Sequence, residues 1–119
     1  MAAARGDPMS LQFSDVILVP FPSADQADGR KRPAVVVSGA GHNRARPDVV
    51  IMAITGQVSS VPAAGEAALV DWQAAGLRRP SVLVPVFATI EQRTVLARLG
   101  QLSDRDTMHL RALLGQLFR

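Results

Sequence analysis

The stretch from Asp48 to Thr55 constrains the fold most. Between those polar ends lie Val49, Val50, Ile51, Met52, Ala53 and Ile54, with no polar residue among them. Successive side chains of a strand point to opposite faces, so a strand wetted on one face alternates apolar and polar residues. An unbroken aliphatic run of this length reads instead as a strand covered on both faces, and the rest of the chain must supply both covers. Two shorter runs of the same kind precede it. Residues 15–20 form the first, ended by Pro20 and Pro22, which exclude helix; residues 33–38 form the second. Residues 23–31, 39–47 and 56–65 read as loops, the first carrying the turn dipeptide Asp28-Gly29. Beyond them we expect an edge strand over 66–70 and one helical turn over 71–77, stopped by Gly76. A fifth strand over 81–86 must be an edge or carry a bulge, because Pro85 cannot donate to a ladder. A sixth follows over 94–100.

Helical spacing is clear only at the end. Ser103 suits an N-cap, Asp104 and Asp106 fall in the first turn against the helix dipole, and Leu110, Leu113, Leu114 and Leu117 recur on one face. Arg111 and Arg119 are expected toward the C-terminal end, where cations are favoured. Several short strands and one terminal amphipathic helix predict a mainly β fold with α, a small SH3-like barrel closed by that helix. Residues 1–12 read as a disordered tail and 13–119 as a single domain.

The core has to be aliphatic: hydrophobic residues are 48% of the chain, yet aromatics are 4% and Tyr is absent. So much aliphatic surface in a small domain has one natural outlet, a second copy, and a homodimer is expected. There is no Cys, which excludes thiolate metal sites and thiol catalysis and fits a reducing cytoplasm. No apolar run reaches the roughly 20 residues of a membrane span. The two histidines, His42 and His109, lie far apart without ligand-like neighbours, so no metal or other cofactor is expected. Nucleophile elbows and phosphate-binding glycine loops are also missing. Trp72 reads as core or interface packing before base stacking. The net charge of +3 is a weak pointer to an anionic partner; placement says more, with Arg30-Lys31-Arg32, Arg44 and Arg46, and Arg78-Arg79 all in expected loops.

Two residues retain chemical interest, Arg32 just before Pro33 and Thr55 at the end of the buried strand. RNA can be cut without metal when its own 2′-OH attacks the neighbouring phosphate. That route needs a proton acceptor, a donor at the leaving 5′-oxygen, and donors aimed at the phosphoryl oxygens. A guanidinium supplies forked donors and permanent charge, but it is a poor base. Arg32 would therefore serve transition-state charge, Thr55 would serve as a neutral donor, and the base is left open. Taken alone, an Arg before Pro is usually a turn residue.

Three stretches taken together alter that weighting. Phe13-Ser-Asp15-Val-Ile-Leu-Val-Pro-Phe-Pro22, Arg30-Lys-Arg32-Pro33-Ala-Val-Val-Val-Ser38 and Val50-Ile-Met-Ala-Ile-Thr55 resemble, in order and spacing, the opening of MazF/PemK-type toxins. Gly76-Leu-Arg-Arg-Pro80-Ser-Val82, Phe87-Ala-Thr89-Ile-Glu91 and Leu99-Gly100-Gln-Leu102-Ser103 fit the same family. The resemblance implies a dimeric toxin of a type II toxin–antitoxin system, cutting single-stranded RNA at short sequences to leave 2′,3′-cyclic phosphate and 5′-hydroxyl ends. It implies catalytic roles for Arg32 and Thr55, and a substrate-gating loop over 22–31 that includes Asp28, Gly29, Arg30 and Lys31. Gln57 is placed at the groove beside the Thr. An antitoxin of the MazE kind, with an acidic disordered tail, is the implied partner. The related CcdB toxins share the barrel but bind DNA gyrase and cut nothing, and an inactive antitoxin-binding barrel is a further alternative. Ser14 stands where the family usually has Gly, and Gly56 where Ser or Ala is frequent. Residues 81–87 lack the charges that many relatives carry there.

Overall fold

A computed structural model describes residues 10–20, 30–59 and 61–119. The aliphatic runs form strands β1 (Asp15–Val19), β2 (Arg32–Val36) and β3 (Asp48–Thr55), followed by a two-residue β4 (Ala67–Ala68), β5 (Val82–Glu91) and β6 (Ala97–Gln101). One antiparallel sheet joins them in the order β4-β5-β3-β2-β1-β6, curled into a half-barrel, and helix α2 (Asp104–Leu117) packs on it. The mainly β class with a terminal helix agrees with the sequence. No described helix is long and apolar enough to cross a membrane.

Each inner strand divides its side chains between two apolar clusters. Val16, Val35, Met52, Ile54 and Leu83 join Leu110 and Leu113 of α2 in the first. Ile17, Val19, Ala34, Val36, Val49 and Ile51 form the second with Leu11 and Val95. Both faces of β3 are therefore covered. Of the expected tail, residues 1–9 lie outside the described residues, while Leu11 is packed into the second cluster. Asp15, fully buried, accepts from Gln12 N–H at 2.8 Å and from Arg98 at 2.9 Å, pinning the start of β1 to β6.

Pro85 behaves as its missing N–H requires. β4 pairs only with Val82 and Leu83, so the strand is at an edge beyond them. On its other side the pairing with β3 slips between Met52 and Ile54. The strand does not stop at 86, as expected, but continues to Glu91 by pairing with β3 down to Asp48. Two further readings are corrected. Residues 40–45, expected as loop, form the short helix α1 (Ala40–Ala45). No apolar periodicity announces it. It is held by Asn43, buried, whose Nδ2 donates to the carbonyls of Leu11 (3.0 Å) and Ser38 (3.1 Å), and by Gln92 Nε2, which donates to the carbonyls of Asn43 and Arg46. The expected sixth strand begins later, at Ala97, because Gln92–Thr94 forms a tight 3₁₀ turn.

Helix α2 has the expected start: Ser103 Oγ accepts from Asp106 N–H. Asp106, almost fully buried, takes the N–H groups of Val70 (2.9 Å) and Asp71 (2.7 Å), tying the helix to the segment after β4. The C-terminal cations do not fall as expected. No basic residue occupies the last turn, and the Arg111 guanidinium sits 4.4 Å above the Phe13 ring instead.

Candidate active site

The hydrogen-bond register explains how Arg32 and Thr55 meet. Val37 N–H donates to Val50 O at 2.9 Å. In an antiparallel pair, hydrogen-bonded positions recur every second residue, so Val35 with Met52, and then Pro33 with Ile54, fall at such positions. Pro33 has no N–H to offer Ile54, and regular pairing of β2 with β3 begins only at Ala34 opposite Ala53. On its other side Pro33 faces Leu18 and Arg32 faces Val19, so β2 stays paired to β1 beyond the point where its regular pairing with β3 ends. Counted two residues past Ala34, the register sets Arg32 opposite Thr55. Both line one open cavity of about 490 Å³, with Leu18, Pro33, Gly56 and Gln57.

The rest of the lining comes from residues 76–79, Ser81 and Leu99. Opposite β1 the pairing of β6 jumps from Gly100 to Arg98, leaving Leu99 as the bulged residue, and bulges re-aim side chains. The turn through 72–76 ends at Gly76, whose φ of +82° suits glycine. A Cβ there would also collide with the Leu99 carbonyl, so this Gly lets the turn press against β6. Trp72, half-buried, packs on the first apolar cluster, which is a core role.

The Thr55 hydroxyl accepts from Gln57 N–H at 3.1 Å. A hydroxyl has one proton and two lone pairs, so this bond fixes the oxygen and leaves its O–H able to donate. Arg32, Arg78 and Arg79 all line the cavity, and none of them takes part in an ion pair with another described residue. Among the described residues no carboxylate or imidazole lines it. The acidic groups that shift lie elsewhere. Arg46 holds the Asp48 carboxyl below its ordinary value, and Arg105 with Ser103 does the same to Asp71. His42 is occupied by Asp48 at 3.1 Å. Among the described residues no three His, Asp or Glu side chains gather as a metal site needs.

Of the residues singled out from sequence, Arg32, Thr55 and Gln57 come together. Arg30 and Lys31 are exposed just ahead of β2 and do not line the cavity. Asp28 and Gly29 lie outside the described residues. Arg78, Arg79 and Ser81 were not expected at the site. Their loop position and charge were visible, but nothing local says that the loop folds back over the end of β3.

A family model described as "PemK-like, MazF-like toxin of type II toxin-antitoxin system" matches residues 12–118. Among curated proteins none matches the chain. Several solved structures share its fold. A mycobacterial endoribonuclease in complex with its cognate antitoxin superposes with a TM-score of 0.70 at 15% identity, covering 89% of this chain and 92% of that one. The Mycobacterium tuberculosis toxin MazF-mt6 gives 0.68 at 20% identity, over 87% and 95%. MazF in the MazE–MazF complex from Deinococcus radiodurans gives 0.70 at 21%, over 91% and 95%.

Proposed function

Because the chain belongs to the PemK-like, MazF-like toxins of type II toxin–antitoxin systems, we propose that it is a metal-independent endoribonuclease acting on single-stranded RNA. The observation that carries this reading is the meeting of Arg32 and Thr55 in a cavity that Arg78 and Arg79 also line and that, among the described residues, no carboxylate lines. Such a surface suits a polyanion, and its fixed donors suit a phosphodiester whose charge grows during reaction. The substrate's 2′-oxygen attacks the adjacent phosphorus and the bond to the 5′-oxygen breaks. The products are a 2′,3′-cyclic phosphate and a 5′-hydroxyl. Arg32 stabilises the charge gathering on the phosphoryl oxygens, and Thr55 donates from its anchored hydroxyl. Among the described residues no lining group is a suitable base; the attacking 2′-OH gives up its proton to a base left open, and the 5′-oxygen gains a proton on leaving.

The partners proposed are a second copy of this chain and a MazE-like antitoxin. Phe118 is 66% exposed and meets Phe87 edge-on at 5.0 Å, and exposed Val86 lies beside Phe87 in β5 beyond its pairing with β4. An apolar patch of this kind gains by burial against a like surface. An acidic, disordered antitoxin tail would fold into the cationic cavity and exclude RNA. The setting is the cytoplasm.

The test is incubation of the purified protein with a long defined RNA in excess chelator, followed by mapping of the ends. Discrete cuts bearing 5′-hydroxyls are expected. Arg32→Ala should lose at least about 100-fold in rate, the scale for removing a transition-state donor, with little change in melting temperature. Intact RNA alongside stalled DNA gyrase would replace this reading with the non-cutting, CcdB-like one.

A further inference from the structure

Arg79 has a seat built for it. A Cβ placed on Gly56 would lie 2.5 Å from Arg79 Cδ, 3.1 Å from Cγ and 3.4 Å from Nε. The aliphatic stem of Arg79 therefore lies flat against the backbone of the residue that follows Thr55. Its own backbone is held as well, because Ser81 Oγ donates to the Arg79 carbonyl at 2.8 Å and Pro80 follows with a fixed φ. Ordering a long side chain has an entropic cost. Here that cost is met by packing the stem, while the guanidinium enters no hydrogen bond or ion pair among the described residues. A packed stem carrying an unengaged forked head is a preorganised receptor for a phosphate.

We propose that Arg79 is a substrate-binding residue that holds an RNA backbone phosphate flanking the scissile one, and that Gly56 is the seat that aims it. The inference rests on the RNA-cutting reading and adds a residue to it. Arg32 at the start of β2 and Arg79 line the same cavity as Thr55, so a strand threading past Thr55 meets both cations. The missing side chain at position 56 is then functional: any Cβ there displaces the arginine stem. Because the stem is flexible, the displacement moves Arg79 without disturbing the sheet.

The experiment measures binding of a fluorescein-labelled 20-nucleotide single strand of random sequence with 2′-O-methyl riboses, which offers phosphates but no attacking hydroxyl. Affinity is followed from 50 to 200 mM salt for the wild type, R79A, G56A, the double variant and R93A, alongside wild-type cutting of a long RNA. R79A should weaken binding about tenfold or more and flatten the slope of log affinity against log salt by about 0.7, the value for one phosphate contact to a single strand. G56A should weaken binding by a smaller factor, and the double variant should bind no worse than R79A, because both changes remove one contact. R93A, an equal charge loss outside the cavity, should change affinity less than twofold. If the wild type cuts RNA while R79A keeps wild-type affinity and slope, the inference is overturned and the nuclease stands. Additive losses in the double variant overturn the role of Gly56 as the seat. If the wild type neither cuts nor binds, the nuclease reading falls and takes the inference with it.

Discussion

Replacing Thr55 by Val separates the hydroxyl's chemistry from its structural part. Valine keeps the β-branched shape at the end of β3, so strand preference and packing opposite Val82 are retained. One hydrogen bond disappears, the acceptor of Gln57 N–H at 3.1 Å. Gln57 is exposed, so water replaces that acceptor and the net cost is about 0.5–1 kcal/mol. For a chain of 119 residues this lowers the melting temperature by only a few degrees. The reaction loses more. A fixed donor aimed at developing charge is worth about 2.7–4 kcal/mol, so cleavage should slow by about 10²–10³ in kcat. Thr55→Ser, which restores the O–H on the same anchor, should recover most of it. The assay is single-turnover cleavage of a mapped RNA site, paired with a thermal melt. A Thr55→Val protein cutting within about threefold of wild type would refute a chemical role for the hydroxyl. One that loses more than about 10 °C would show that its part is structural.

Ser14 has a φ of +75°, a left-handed conformation costing an L-residue about 1–2 kcal/mol, partly offset because Gly loses more chain entropy on folding. Ser14→Gly should gain roughly 0.5–1 kcal/mol in a denaturant titration; an unchanged or lower midpoint contradicts the strain. Asp71 is held below its ordinary value by Arg105 and Ser103. Its contribution is fully present above about pH 4 and is lost as pH falls toward the depressed folded value. Asp71→Asn should therefore melt lower than wild type at pH 7, with the gap narrowing below pH 4; a gap constant with pH defeats the linkage. Because among the described residues neither a carboxylate nor an imidazole lines the cavity, kcat/KM for cleavage should rise with pH without a break between about pH 5.5 and 9. An inflection near 6.5 would bring a histidine into the reaction.

The parts of the fold readable from sequence are those where one residue type carries one physical requirement. The unbroken aliphatic run of β3 announced cover on both faces, Pro85 announced an edge and a slip, and Ser103 announced the start of α2. The pattern shared with the toxin family has Gly where Ser14 stands, and the left-handed backbone there gives the physical reason. Helix α1 was not readable, since its stability comes from Asn43 and Gln92 reaching to distant carbonyls rather than from any spacing of its own. Arg111 was misjudged for a similar reason: the Phe13 ring lies across the chain, and only the packed helix brings them together. At the site, Arg32 and Thr55 were singled out by their chemistry and by the resemblance, and the strand register supplies the reason they meet. Arg79 could not be singled out, because its placement depends on the Cβ that Gly56 lacks.

An imino acid in an interior strand usually signals a weak point. In this molecule Pro33 withholds one donor at the end of the ladder, and regular pairing of β2 with β3 runs from Ala34 opposite Ala53 onward. A ligand that enters the cavity beside Pro33 meets two strands each tied on its far side, β2 to β1 and β3 to β5.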